Sequence, residues 1–162
     1  MVNDNVRLSD EEDTYIESPI IMTTVRLIAP FSFVYGFFVT FHGANGPGGA
    51  FQGGAIIGAT VLMIAFAFGI SHTQKWVKNN IVTDLMSFGG IFLGILGFSG
   101  ILLGGNFLDH KIFYALGMEK GIKWGIEALE IGGIFFLVSG TIIGLFFVTA
   151  AGVKDIDQGV IE

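Results

Sequence analysis

Three long stretches of the chain contain no Asp, Glu, Lys or Arg, and this feature limits the possible folds more than any other. They cover residues 27–74, 85–108 and 131–153, and they are 48, 24 and 23 residues long. A bilayer core about 30 Å thick is crossed by roughly 20 helical residues. The two later stretches therefore fit one crossing each, and the first stretch fits two.

The segment 43–49, GANGPGG, divides the first stretch, because its glycines and proline cannot form the interior of a helix. Continuous apolar runs without alternating polarity favour helices over a β-barrel. The sequence thus predicts an all-α integral membrane protein with a Gly-rich loop between its first two helices. The four predicted transmembrane helices lie at 20–42, 53–73, 84–107 and 127–150.

Residues near the predicted helix starts and one proline refine this pattern. Ser18 followed by Pro19 is typical of a helix N-cap with proline in the first turn. Thr83 or Asp84 is predicted to cap the third helix. Pro30 lies inside the first helix, where a kink is tolerated if neighbouring helices satisfy the freed backbone groups.

The charges divide the chain into a tail, a membrane domain and a short end. Residues 1–18 hold six acids and one arginine and are predicted to be a solvated N-terminal tail. An acidic start of this kind does not fit a secretory signal peptide, which needs a basic region. Residues 19–153 form the predicted four-helix transmembrane domain, and 154–162 a short C-terminal tail.

Composition and motifs exclude several functional classes. The chain is 52% hydrophobic and 14% charged, has no cysteine, and carries a formal net charge of -6. Without cysteine this chain forms no disulfide and holds no iron–sulfur cluster by thiolates, and the net charge gives no support to a nucleic-acid partner. We find no P-loop, no H-E-x-x-H and no G-x-S-x-G motif, so the chain is predicted to be no enzyme and to bind no cofactor.

Basic residues give the expected orientation in the membrane. Four crossings place both chain ends on one side, which then holds five Lys and Arg residues, against three on the other side. The positive-inside rule therefore predicts that both termini lie in the cytoplasm.

Glycines recur at a spacing of four residues in the predicted helices. This spacing lets helix backbones approach closely where lipid supplies no hydrophobic driving force. Packing within one chain explains part of the pattern, but short helices with so many glycines offer more contact surface than one small bundle needs. We therefore expect a subunit of a larger membrane assembly. The pairs are Gly54 and Gly58, Gly90 and Gly94, Gly100 and Gly104, and Gly140 and Gly144.

Glu127 and Glu130 lie three residues apart at the entry of the fourth helix and share a helix face. One interpretation is favourable placement of acids in a first turn, with Lys123 pairing to Glu127. The other is a carboxylate on a proton or cation path, because acids inside a membrane are costly and usually functional. Glu130 is the better candidate for a path, since an apolar run follows it directly.

The remaining ionisable residues near the membrane also allow two interpretations. Asp84 fits an N-cap position, and it is also a candidate for a charge path. Arg26 either extends back to the headgroups or pairs with an acid such as Asp84 inside the assembly. His42 and His72 lie near helix ends on opposite sides of the membrane, and His110 lies in a loop, so no two of them have metal-ligand spacing.

The stretch 42–54, HGANGPGGAFQGG, is the most specific pattern in the chain. It resembles the loop between the first two helices of the B subunit of Mrp-type (Mnh-type) Na+/H+ antiporters, where the pattern is close to H-G-x-x-x-P-G-G-G-F-Q-G-G. Ala50 departs from this pattern. The segment 129–135, LEIGGIF, is similar to the segment that opens the last helix of the family, where Asp is common at the position of Glu130 and Val at that of Gly133.

The resemblance covers about residues 20–150 and implies a small subunit of a hetero-oligomeric antiporter complex. In such complexes the large antiporter-like subunits hold the main proton-path residues. Homologous subunits also occur in membrane-bound hydrogenase and sulfane reductase complexes, where a Mrp-like module couples electron transfer to Na+ or H+ movement. The sequence leaves both hosts open, together with a purely structural spacer.

The Gly-rich loop has a further predicted role. Backbone that is not helical at membrane depth is tolerated only inside protein or beside a water-filled cavity, and its free carbonyls are ligands that a hard cation accepts. The loop either lines a Na+ path or forms a tight hairpin that lets helices pack. The candidate Na+ path comprises Asn45, Gly48, Gly49, Gln52 and Glu130, and the candidate proton or charge path comprises Glu127, Glu130, Asp84, Arg26 and His42.

Overall fold

In the part of the chain that the structure describes, the fold has four long apolar helices, as the sequence predicts. The computed structural model describes residues 18–43, 48–109 and 130–159, with the backbone alone at 130 and at 151–159. Four helical segments in these ranges are long and apolar enough to span a membrane. The helices are α1 (Pro19–His42), α2 (Ala50–Phe68), α3 (Ile70–Trp76), α4 (Asn79–Leu102), a π-helical segment (Glu130–Phe135) and α5 (Phe136–Gly159).

The long helices pack in the order α1, α2, α5, α4. The main contacts join α1 to α2, α2 to α5, and α5 to α4, and the π-helical segment also contacts α2 and α4. In the most apolar window of α2, 44% of the residues are buried, against 17% in α1 and in α4. The centre of the molecule is therefore the contact between α2 and α5, and α1 and α4 flank it. A small core of Val61, Val82, Ile143 and Phe147 lies there.

The first helix begins where the sequence predicts and continues through its proline. Ser18 is the N-cap residue and Pro19 the first helical residue, although the Ser18 side chain makes no capping hydrogen bond. Pro30 lies inside α1. It cannot donate the hydrogen bond that the Arg26 carbonyl would otherwise accept four residues earlier.

Glycine ends the second membrane helix earlier than predicted. The expectation of one helix over 53–73 is wrong, because Gly69 adopts φ +95° and ψ 142° and separates α2 from the short α3. The Gly69 N–H still donates to the Ala65 carbonyl (3.0 Å), and its own carbonyl accepts the Thr73 N–H (3.1 Å). The chain thus changes direction there with its backbone hydrogen bonds satisfied.

The third membrane helix lies five residues earlier in the chain than predicted. Lys78 is the N-cap residue, and Asp84 lies inside α4, so the prediction that Thr83 or Asp84 caps this helix is wrong. Thr83 instead donates from its hydroxyl to the carbonyl of Asn79 (3.0 Å), which satisfies its polar group inside the first turns. At the other end α4 stops at Leu102, and Gly104 follows with φ +89°.

The segment after α4 folds back onto the helix. The Leu108 N–H donates to the carbonyl of Gly97 (3.2 Å), and the Phe107 ring covers Gly97 so closely that a Cβ there would overlap it. This arrangement explains why the apolar residues up to Phe107 do not extend the helix, as the prediction of 84–107 required. The last helix runs through Gly159, and the predicted start at 127 lies outside the described residues.

The predicted glycine pairs divide into packed and open pairs. Gly54 and Gly58 contact α5, and Gly140 and Gly144 contact α4, which confirms the packing prediction for these four. The other pairs differ. Gly100 packs against the backbone of Asn106, whereas a Cβ at Gly104, Gly90 or Gly94 would meet no described atom within 4 Å.

Candidate functional site

The hairpin between α1 and α2 returns the chain tightly onto α1. The Gly49 N–H donates to the carbonyl of Val39 (3.2 Å), and the Gly49 carbonyl accepts the N–H of Gly53 (2.9 Å) as α2 begins. Gly49 has φ +148° and ψ 166°, a backbone conformation that essentially only glycine adopts. A Cβ on Gly48 would lie 2.8 Å from the carbonyl oxygen of Val39. Both glycines are therefore required by the geometry of this turn.

Close contact between α1 and α2 begins one turn further along. The Thr40 hydroxyl donates to the carbonyl of Gly36 (2.9 Å), and both groups face Gly53. A Cβ on Gly53 would lie 2.6 Å from the Gly36 oxygen and would overlap the Thr40 hydroxyl. The absence of a side chain at Gly53 thus lets the two backbones meet beside the hairpin.

The same end of α2 contacts the start of the last helix. A Cβ on Gly54 would lie 2.9 Å from the Phe135 carbonyl oxygen and 3.3 Å from the Ser139 nitrogen. The rings of Phe37 and Phe135 lie 5.6 Å apart, centroid to centroid, which adds a contact from α1. The structure therefore brings the Gly-rich hairpin and the π-helical segment together at one end of the molecule.

The π-helical segment is a feature that the sequence patterns did not predict. It covers Glu130–Phe135, and its two adjacent glycines face α4, where Gly132 meets the ring of Phe92 and a Cβ on Gly133 would lie 3.3 Å from Leu93. Single π-helical turns interrupt the regular hydrogen-bond pattern and often occur at functional sites. The adjacent glycines do not by themselves indicate it, because Gly53–Gly54 and Gly89–Gly90 are adjacent pairs inside regular α-helices.

The residues of the candidate Na+ path lie at this end, as far as the structure describes them. Gln52 is exposed, and its amide oxygen lies 2.8 Å from where a Cβ on Gly49 would be. The Gly49 carbonyl is already used by Gly53, so Gln52 Oε1 is the freer oxygen ligand of the two. Glu130 opens the π-helical segment, and Asn45 lies outside the described residues.

The candidate charge path is divided between the two ends of the molecule. His42 stacks on Phe38 with ring centroids 5.3 Å apart at the hairpin end of α1, whereas Arg26 lies near its other end, ~24 Å away along the axis at 1.5 Å per residue. The Arg26 guanidinium lies 5.2 Å from the centre of the Phe68 ring. Glu127 lies outside the described residues.

Asp84 is not close to Arg26 in this structure. It is exposed on α4, whose Val82, Leu85 and Met86 face α5, so Asp84 lies on the opposite side of that helix. Within the described residues no ion pair links Asp84 to Arg26, and a pair formed inside an assembly stays a prediction. Nor do three His, Asp or Glu side chains gather in that part of the chain closely enough to hold a metal ion.

Comparison with known proteins gives the family. The profile of a family described as a domain related to the MnhB subunit of Na+/H+ antiporter matches residues 20–144. An uncharacterized protein of Methanocaldococcus jannaschii is 30% identical over 105 residues, which cover 60% of this chain and 40% of that protein. The B subunit of a Na(+)/H(+) antiporter from Bacillus subtilis is 25% identical over 96 residues, covering 59% of this chain and 66% of that protein.

A third relative is matched over most of its length. The Staphylococcus haemolyticus protein named "Putative antiporter subunit mnhB2" is 27% identical over 140 residues, which cover 84% of this chain and 97% of that protein. The chain thus spans less than two thirds of the first two relatives and nearly all of the third. The matched region contains the Gly-rich hairpin and the π-helical segment.

Proposed function

Because the chain belongs to the family of domains related to the MnhB subunit of Na+/H+ antiporters, we propose that it is a membrane subunit of a multisubunit monovalent-cation/proton antiporter module. The match over residues 20–144, which contain the four apolar spans up to the middle of α5, is the observation that carries this proposal. In this role the chain has no catalytic site of its own. It scaffolds larger antiporter-like subunits, which carry the main proton path.

The outer surfaces of the flanking helices support the scaffolding role. Large apolar side chains are exposed along α1 and α4, among them Phe31 at 69% and Ile95 at 62%. On α4 this surface includes Gly90 and Gly94, where a backbone from another helix finds no obstruction within 4 Å. Such a surface suits close contact with helices of neighbouring subunits in the membrane.

The hairpin end supports a second part of the proposal, a Na+ route along this subunit. Gln52 presents an amide oxygen beside the Gly-rich turn, and the segment that begins with Glu130 packs against α2 at the same end. Amide, carbonyl and carboxylate oxygens are the ligands that hard cations take. The competing interpretation is a structural spacer, in which Gly53 and Gly54 serve helix packing alone.

Ion exchange in everted membrane vesicles tests the route. The complex is assembled in a host that lacks its own copy of this subunit, and Na+-driven proton movement is measured with a pH-sensitive dye. We expect Glu130→Gln to reduce exchange to background while the other subunits still co-purify, and Glu130→Asp to retain it because the carboxylate is kept. Normal exchange by Glu130→Gln in an intact complex would favour the spacer.

The composition of the native complex tests the scaffolding role and its host. A tag on this chain should co-purify large antiporter-like subunits from mildly solubilised membranes. Iron–sulfur or nickel proteins in the same preparation would identify a redox-driven host, such as a membrane-bound hydrogenase or sulfane reductase. Recovery of the chain from native membranes without any partner subunit would contradict the proposal.

We further propose that the complex lies in the prokaryotic plasma membrane with both ends of this chain in the cytoplasm. The distribution of Lys and Arg, five on the side of the chain ends and three on the other, supports this orientation.

A further inference from the structure

A cavity of about 400 Å³ lies between α1, α2 and α3, at the end of the molecule opposite the hairpin. Its polar wall contains Arg26, His72 and Trp76, and its apolar wall contains Phe33, Ile64 and Phe68. A second cavity of about 390 Å³ shares Arg26, Phe33, Ile64 and Phe68 with the first. The two cavities are therefore parts of one groove that is cationic at one end and apolar along the rest.

The depth of this groove in the membrane follows from the length of α2. With 19 residues at 1.5 Å each, α2 is ~28 Å long, close to the ~30 Å thickness of a hydrocarbon core. Its last residue, Phe68, therefore lies at the edge of the hydrocarbon. The Arg26 guanidinium, 5.2 Å from the Phe68 ring centre, lies near this edge, within reach of the lipid headgroups.

The short helix α3 continues from this edge into the headgroup region. Trp76 is 77% exposed, and tryptophan is enriched at membrane interfaces, where its N–H finds a polar partner. His72 and Lys75 are exposed on the same helix, and Lys78 follows it. Asp84, on the outer side of α4, is the acid at this end whose side chain the structure describes. Among the described side chains at this end, Arg26, Lys75 and Lys78 therefore outnumber Asp84, whereas the acidic residues of 1–17, which the predicted topology places on the same side, lie outside the described residues.

The geometry points to a binding site for one anionic phospholipid. Its phosphate accepts hydrogen bonds from the Arg26 guanidinium and from the Trp76 indole N–H, while an acyl chain lies along Phe33 and Ile64. Basic pockets between transmembrane helices are suited to anionic headgroups. Because the rest of the groove is apolar, it favours a phosphate that carries an acyl chain and disfavours free phosphate. This site is independent of the proposed ion transport.

Fluorescence quenching tests the site in the full-length chain. The sequence contains two tryptophans, so Trp124→Phe leaves Trp76 as the reporter. The protein is placed in nanodiscs of phosphatidylcholine with a small fraction of phosphatidylglycerol, and bromine is carried on the acyl chains of either lipid in turn. At equal mole fraction, brominated phosphatidylglycerol should quench Trp76 more strongly than brominated phosphatidylcholine. Equal quenching by both lipids overturns the proposal without any further variant.

Two charge-removing variants locate the interaction. Arg26→Gln should reduce the affinity for phosphatidylglycerol about tenfold, the size expected for loss of a charged hydrogen bond. Lys75→Gln removes an equal charge at the same end but does not line the groove, so it should change the affinity less than twofold, about the effect of one exposed surface charge. Equal effects of the two variants would mean general attraction to the surface and would overturn a specific site.

Inorganic phosphate distinguishes the two sources of the anion. Added in large excess, it should leave the quenching by brominated phosphatidylglycerol unchanged, because it lacks the chain that the apolar wall binds. Loss of quenching under these conditions would show a simple phosphate site and overturn the lipid proposal.

Discussion

Replacing Gly89 by alanine is expected to loosen the contact between α4 and α5, whereas the same change at the next residue, Gly90, is expected to be harmless. A Cβ on Gly89 would lie 2.6 Å from the Leu137 nitrogen and 2.7 Å from the Gly133 oxygen. Both are backbone atoms, which cannot rotate away as a flexible side chain can. The helices would therefore have to separate by about 0.8 Å to restore the 3.4 Å of ordinary van der Waals contact.

The expected change in the free energy of unfolding follows from two opposing contributions. Alanine is favoured over glycine inside a helix by ~1 kcal/mol, and overpacking a close contact costs ~1–3 kcal/mol, with backbone contacts at the upper end. Gly89→Ala should therefore lower the free energy of unfolding by ~2 kcal/mol, roughly a thirtyfold change in the ratio of folded to unfolded protein. Gly90→Ala gains the same helix preference of alanine without any overlap. It should therefore leave the free energy of unfolding unchanged or raise it by up to ~1 kcal/mol.

Unfolding of the purified chain in mild detergent, titrated with sodium dodecyl sulfate and followed by circular dichroism, measures both variants. Equal stability of Gly89→Ala and the unmodified chain would refute the packing argument, as would an equal loss for both variants. The assembled complex adds a second comparison: if Gly90 contacts a neighbouring subunit, Gly90→Ala should weaken co-purification of that subunit while leaving the isolated chain stable.

Three further predictions concern the hairpin and the topology. Gly49→Ala should destabilise the chain by ~1–3 kcal/mol because φ +148° is strained for a residue with a Cβ, while Gly94→Ala, on an open surface, should be neutral in the same detergent titration. Glu130→Gln should also abolish any protection by Na+ against thermal unfolding of the complex, and retained protection would place Na+ binding elsewhere. Since the chain has no cysteine, Asn45→Cys and Lys75→Cys should react with an impermeant maleimide from opposite sides of the membrane, and labelling from one side would contradict the predicted crossings.

The number and positions of the spans could be predicted because charged residues are costly in lipid, so their absence over 20 residues indicates a membrane helix. The ends of the helices could not be predicted as well. Asp84 has the residue type of an N-cap, but the helix starts earlier, with Lys78 as its N-cap, and the Thr83 hydroxyl donates to the Asn79 carbonyl inside it. In the sequence nothing distinguishes Gly69 from the other glycines of an apolar run. In the structure its positive φ separates two helices.

The hairpin of the candidate site could be predicted from the sequence, but its contacts with other helices could not. The pattern around Gly49 and Gln52 identified the hairpin, because the turn requires glycine where the chain returns to α1. A spacing of four residues could not show that Gly54 meets α5 while Gly90 meets nothing, since the pattern gives no information on which side another helix lies. The joining of the hairpin to the segment that begins at Glu130 depends on contacts between residues far apart in the chain.

The order α1, α2, α5, α4 gives the molecule two broad sides and little interior. Among the described residues these helices form a row, so a neighbour on one side would lie close to a neighbour on the other. In the proposed complex, two large subunits on opposite sides of this chain would therefore be separated by little more than its own helices.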